Sequence, residues 1–364
     1  MSPIGWAGAG RRPSKLPGQP AVNFAQDRTR HGRFGKDVRS LMHLTRCIEV
    51  HTQGPALSKF PRDAATPASI VDALKAVAGH PPKTRASFAK GRCVRGTYIP
   101  SDQAAAVTTS RSFTRPSRVL ARFSVGGGNP EVADTNHLVP RGFSFRLGSD
   151  ADRSDIVTQS APVHFARTLE QMLAFLKACI PGPDGKPEES NVKAFAAANP
   201  ETQQQANYIT ARPLPGSFAG TTYWGVHSFP ATNAKGETRF IKFKIVPVRG
   251  VVTLTEGEVK AKSADFLHRD LKSRISAGDV RFSVMALLDR PGDPVMDVTT
   301  RWPDEDLREE VRLGTIVITG IEPNEVCDTE IFDPAHLAEG IGHPPDEIFA
   351  ARRAAYAISL AKRR

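Results

Sequence analysis

The chain has 364 residues, 40% of them hydrophobic, and a formal charge of +11. That length buries a sizeable core as one large domain or two. The sequence holds no run of about eighteen apolar residues, so a helical membrane span is left out of the reading.

The positive charge is uneven, with eleven Lys and Arg against four Asp and Glu in residues 1–65, or +7 of the total. A basic arm suits nucleic acid or an anionic membrane. This one has neither aromatic platforms at regular spacing nor an amphipathic repeat, so a solvated, disordered extension without a nucleic-acid partner is expected. Arg11-Arg12 is followed by Pro13 and Ser14 rather than an apolar stretch, and no export signal is read there. Cys47, Cys93, Cys179 and Cys327 stand far apart without a Cys-x-x-Cys. The expectation is reduced thiols, neither a zinc site nor a disulfide framework, and a cytoplasmic location.

From Thr66 the character changes. Thr66-Pro67 reads as an N-cap and first-turn proline, and Ile70, Val71, Leu74 and Val77 recur at helical spacing until Gly79. Strands are predicted over Cys93–Tyr98 and Val119–Val125. The Gly126-Gly127-Gly128 that follows reads as a tight loop, since no Gly-Lys-Ser/Thr comes after it. Phe143 and Phe145 alternate with Ser144 and Arg146 as in a half-buried strand. Thr168 with Gln171 has a capping-box pattern that opens a helix to about Cys179. A Pro- and Gly-rich loop runs from Pro181 to Pro187, and helical pieces follow to about Tyr208.

Thr221–Phe229 and Glu237–Val248 read as a strand pair. Within the second, Ile241, Phe243 and Ile245 alternate with Lys242 and Lys244, giving one buried and one wet face. One helix over Ala261–Ile275 and a strand over Val280–Leu288 are predicted next. The last helix, within Asp346–Arg364, has an acidic start and a basic finish that match the macrodipole. At helical pitch Arg352, Tyr356 and Arg363 share a face. A guanidinium one turn before a phenol favours the phenolate, the form in which tyrosine binds ferric iron. Several antiparallel strands with helices inserted late and at the end point to an α+β barrel rather than alternating βαβ units.

Several runs carry a family resemblance. Asp293-Pro294-Val295-Met296-Asp297-Val298-Thr299-Thr300-Arg301-Trp302-Pro303, then Val311 to Ile316, then Phe332-Asp333-Pro334 and Gly340-Ile341, resemble in order and spacing the approach to the iron-ligand helix of haem catalases, which carries an Arg-x-x-x-Tyr like Arg352-x-x-x-Tyr356. Arg85-x-x-Phe88-Ala89-Lys90-Gly91 resembles the family's Arg-x-x-His-Ala-Lys-Gly. Arg122-Phe123-Ser124, Asp134-Thr135 and Pro140-Arg141-Gly142-Phe143 are similar to further family motifs. The resemblance covers roughly residues 66–364, and the chain ends soon after Tyr356, as in the short catalase-related peroxidases.

The resemblance implies a catalase-like antiparallel β-barrel with inserted and C-terminal helices, a minimal form lacking the C-terminal helical domain. It implies haem b as cofactor, Tyr356 as iron ligand beside Arg352, and Arg85, Arg122 and Arg363 as partners of the propionates. Ser124 and Gln159 fall at the distal pocket, where Gln159 replaces the family's asparagine. Phe88 stands where the family has its distal histidine, and a phenyl ring has no exchangeable proton to move in peroxide cleavage. His164 replaces a family phenylalanine, with a small expectation that it substitutes for the missing imidazole. The first reading is a peroxidase acting on hydrogen peroxide or organic peroxides with a small-molecule electron donor and weak catalase activity. The others are a fatty-acid hydroperoxide isomerase or dehydratase and a non-catalytic haem binder. The oligomeric state, monomer or dimer, is left open.

Overall fold

The structure is a computed structural model that describes residues 65–278 and 280–364, so nearly all of the extension expected over residues 1–65 lies outside the described residues. Eleven strands are described: β1 (Gly91–Pro100), β2 (Ser117–Val125), β3 (Arg141–Leu147), β4 (Ser154–Gln159), β5 (Leu214–Pro215), β6 (Tyr223–Trp224), β7 (Phe229–Thr232), β8 (Thr238–Pro247), β9 (Thr253–Leu254), β10 (Arg281–Leu288) and β11 (Glu310–Ile321). The helices are α1 (Pro67–Val77), α2 (Arg111–Thr114), α3 (Leu169–Ala178), α4 (Glu189–Ala198), α5 (Gln204–Thr210), α6 (Glu256–Ala261), α7 (Phe266–Ser276), α8 (Asn324–Asp328) and α9 (Glu347–Ala361).

Antiparallel pairing runs β10-β11-β1-β2-β3-β4-β6-β8, and β8 pairs back onto β10, closing an eight-stranded barrel. Closure leaves the eight barrel strands no free edge, β7 pairs outside the ring along the start of β8, and alternate side chains fill the interior. There Phe123 stacks on Phe143 with centroids 4.4 Å apart, and Phe143 meets Phe282 at 5.0 Å. No helical domain follows α9 within the described residues.

The alternation in β2 gives way because its other face is covered as well. Leu120, Arg122 and Ser124 point outward, yet Arg122 and Ser124 are buried. Two rows of directly opposed residues cross this outer face. One is Cys93–Arg122–Ser144–Val157 and the next is Gly91–Ser124–Gly142–Gln159. Helices α1, α3 and α9 pack on one another above these rows. At the start of α1, Thr66 caps Ser69 N and Ser69 caps Thr66 N in return, so the predicted helix start holds.

Several expectations are corrected. Thr168 caps α3 through Gln171 N, but Gln171 Oε1 accepts from Arg167 N, so the box is not closed on Thr168. The strand expected over Thr221–Phe229 breaks: four residues lie between Trp224 and Phe229 against two between their partners Lys244 and Ile241, a bulge that releases His227 from the ladder. Lys242 is not on a wet face. It is 2% exposed and bonded to Glu305 at 3.0 Å, because the segment after β10 folds over the barrel wall. The single helix expected over Ala261–Ile275 is split into α6 and α7 at Lys262–Asp265, where Ala264 O and Asp265 bind Lys90 Nζ.

The cysteine reading is also wrong for one pair: Cys93 and Cys327 form a disulfide across 234 residues of sequence. Separation along the chain hid the pair, since only the barrel brings β1 beside α8. The inference to a cytosol-like compartment rested on reduced thiols and loses that support.

Candidate functional site

Between the outer face of β2, β3 and β4 and the three helices lies a cavity of about 390 Å³. It gathers Arg85, Phe88, Arg122, Ser124, Gln159, Arg352, Tyr356 and Arg363, together with His164. All the site residues expected from the sequence therefore meet in one place, drawn from strands and helices far apart in the chain.

At one wall, α9 begins with Asp346, whose Oδ1 accepts from Phe349 N at 2.8 Å as an N-cap. Its other oxygen is 2.8 Å from His227 Nδ1, and Arg352 Nη1 is 2.8 Å from His227 Nε2. A guanidinium only donates, so Nε2 is the acceptor and the ring proton on Nδ1 goes to Asp346. One turn on, Arg352 Nη2 donates to Tyr356 Oη at 2.5 Å. His227 and Asp346 are almost fully buried. Burial pushes the His227 pKa down, and although the Asp346 carboxylate pulls the other way the net shift is downward. Burial, the largest single effect, would raise Asp346, but the His227 contact, the Phe349 N–H and the Arg352 charge together outweigh it and hold the carboxyl below its usual range. The result is a connected row of carboxylate, neutral imidazole, guanidinium and phenol oxygen.

At the far edge three arginines crowd together. Arg122 donates from Nη1 to Phe88 O and from Nη2 to Ala89 O, both at 2.9 Å. Arg363 donates to Asp328 O at 3.1 Å and Glu330 O at 2.7 Å. Arg85 donates to Cys327 O and stands 3.7 Å from the Asp328 carboxylate, which is 55% exposed. Burial, then the neighbouring Arg85 charge, lowers Arg122 to about 9 and Arg363 to about 10. Burial likewise lowers Arg85, and its Nε is buried without a partner.

The third wall holds Phe88 in a left-handed conformation, φ +51°, which costs a residue with a Cβ roughly 1–2 kcal/mol. Arg122 on its carbonyl and the Ala89 N to Gly127 O bond (3.0 Å) hold it there. Beside it Gly142 leaves room for the ring, because a Cβ there would lie 2.9 Å from Phe88 Cδ1 and 2.6 Å from Ser124 Oγ. Gln159 donates from Nε2 to Val163 O at 2.8 Å, which keeps its amide oxygen as the free polar end.

His164 bonds Ala166 O through Nδ1 at 2.8 Å. Burial drives it down to about 4, and the charges acting on it are those of His227, Arg352 and Asp346. It lines the same cavity as Phe88 and Tyr356.

His227 and Asp346 were missed from the sequence as site residues. They lie 119 positions apart, and each read locally as something else, a strand residue and an acidic helix start.

These residues fit the expected cofactor. Mutually depressed guanidiniums around one exposed carboxylate, one with an orphaned Nε, form a site short of negative charge, which carboxylates such as two propionates supply. Across the cavity stands a phenol oxygen already taking a cationic hydrogen bond.

The family model that the chain matches is described as Catalase and takes in residues 70–364. A catalase-related peroxidase of Synechococcus elongatus is 31% identical over 329 residues, covering 89% of this chain and 95% of its own. A second, from Mycolicibacterium paratuberculosis, is 29% identical and covers 81% and 94%. The bromoperoxidase-catalase of Streptomyces venezuelae is 27% identical, with 75% of this chain matching 59% of that protein. Among solved structures, a fungal catalase and catalase A of Saccharomyces cerevisiae share the fold, each with a TM-score of 0.70 and 21% identity. The chain spans 66% of each.

Proposed function

The chain belongs to the catalase family, and on that premise we propose that it is a haem-dependent peroxidase of the catalase-related type. It is an oxidoreductase acting on peroxide. The observation that carries the reading is the pairing of a buried, charge-deficient arginine cluster with the Asp346–His227–Arg352–Tyr356 row across one cavity.

In this reading Tyr356 binds the iron of haem b as phenolate, with Arg352 holding the negative charge on its oxygen. Arg85, Arg363 and the remaining N–H groups of Arg122 receive the propionates. When bound, the haem supplies the redox chemistry that cleaves a peroxide O–O bond and is restored by electrons from a small donor.

What the chain's own residues contribute on the Phe88 side is limited. Phe88 excludes water and carries no proton to move. Ser124 Oγ and the Phe88 ring both crowd Gly142, and the Gln159 oxygen accepts only. A positioned acid–base is worth typically ~10²–10⁴-fold, so catalase turnover is expected to be weak. The apolar lining from Ile70, Val71, Leu74, Met172 and Phe175 favours a second reading, an organic hydroperoxide as substrate. The Cys93–Cys327 disulfide pulls against the cytoplasmic expectation, because disulfides persist in oxidising compartments.

Reconstitution with haemin tests this. A Soret band should form and be lost or shifted in Tyr356→Phe. Hydrogen peroxide turnover with an added donor supports the peroxidase, and turnover of a fatty-acid hydroperoxide alone supports the second reading. No Soret band on haemin addition would rule out both.

A further inference from the structure

The Cys93–Cys327 disulfide sits against the arginine cluster at both ends. Cys93 on β1 stands directly beside Arg122 on β2 in the row that crosses the outer barrel face. Cys327 offers its carbonyl oxygen to Arg85, and the next residue, Asp328, faces Arg85 with its carboxylate. Asp328 O and Glu330 O take the two donors of Arg363. Residues 327–330 thus orient two of the three guanidiniums through backbone carbonyls, and the disulfide fixes that stretch to the strand beside the third.

The stretch is also tied to the barrel by Arg146 on Glu330 at 2.9 Å and by Glu322 N on Cys93 O at 3.0 Å, but the disulfide is its covalent link. α8 is five residues long, about one turn, and a helix that short has marginal stability of its own. Asn324 bridges it to β1, accepting from Cys93 N at 3.0 Å and donating to Gly91 O at 3.3 Å. Both sulfurs belong to fully buried residues packed with Phe332, which lines the cavity. Three buried cations repel one another, so the carbonyls that hold them must be held in turn.

Resting on the haem reading, we propose that Cys93 and Cys327 are a positioning pair for the cofactor's carboxylate site: their bond holds Arg85 and Arg363 in register with Arg122 before the ligand arrives. Preorganisation of this kind strengthens binding by removing the cost of ordering the site. A disulfide that served only as a cross-link would act on the unfolded chain and leave ligand preference alone.

The experiment compares two probes on the apo-protein, haemin and haemin dimethyl ester, whose carboxylates are blocked. Both are titrated by absorbance into the wild type and the Cys93→Ala/Cys327→Ala variant, well below either unfolding midpoint. The variant should lose about tenfold in haemin affinity while its ester affinity changes by less than about twofold, the mark of a lost preorganised carboxylate site. Equal losses for both probes, or no loss for haemin, would overturn the proposal and leave the haem reading standing. A wild type that binds neither probe would overturn both. Should the double variant fail to fold, the wild-type apo-protein with its disulfide reduced is titrated with the same two probes. It should show the same loss confined to haemin, and an unselective loss or none would count against the pair.

Discussion

Arg122 holds Phe88 by its backbone rather than by its ring, donating to the Phe88 carbonyl oxygen at 2.9 Å while the residue sits at φ +51°. The position that faces the cavity is therefore built independently of the side chain it presents. A histidine placed there inherits the same backbone.

Phe88→His should for that reason fold as the wild type does and gain catalase activity. The gain expected from a positioned acid–base is ~10²–10⁴-fold, read as oxygen release from hydrogen peroxide by the haemin-reconstituted protein. An unchanged rate would show that Ser124 and Gln159 cannot support an imidazole in this pocket.

Gly142 should tolerate no side chain. Its Cβ would lie within 3.0 Å of both Phe88 and Ser124, so Gly142→Ala must displace one wall of the cavity. A destabilisation of about 1–3 kcal/mol is expected from overpacking, with an altered Soret position in the reconstituted protein. Denaturant unfolding and an absorption spectrum check the two parts separately.

Acid should loosen the fold before most carboxylates titrate. His164 is held at about 4 in the folded chain and His227 is also lowered, so both stay neutral while an unfolded histidine, near 6.5, takes up a proton. The unfolded state then binds more protons, and stability falls as pH drops from about 6.5 toward 4 by ~1.4 kcal/mol per unit for His164, with His227 acting in the same direction. Below that, the Asp346 contribution is lost as well, since its carboxyl is held below the usual range. Unfolding midpoints between pH 7 and 4 should show the decline, and His164→Phe should flatten it.

Lys90→Met should be among the most damaging changes outside the cavity. Lys90 Nζ meets Asp134 at 2.8 Å, Asp265 at 2.7 Å and two backbone carbonyls, and the Asp134 side chain is fully buried. Removing the cation leaves a buried carboxylate with Leu267 N as its remaining partner, a loss of about 3–5 kcal/mol. Denaturant unfolding measures it.

Much of this molecule is written in local sequence. Thr66-Pro67 starts α1, the alternation around Phe143 and Phe145 marks β3, and the spacing of Arg352 and Tyr356 places both on the cavity face of α9, with Arg363 reaching the cavity from the turn just past its end. Periodicity and capping act within a few residues, and resemblance to a family's motifs supplied the cavity residues from Arg85 to Tyr356. What needed the folded barrel was every partnership across distance. His227 turns to Asp346 only because a bulge frees it from β8, Lys242 is dry only because Glu305 is folded over it, and Cys93 finds Cys327 only once β1 and α8 are neighbours. A chain's local rules choose its elements. Which charges and thiols meet is decided by strand closure and burial, and those depend on residues from 63 to 234 positions apart.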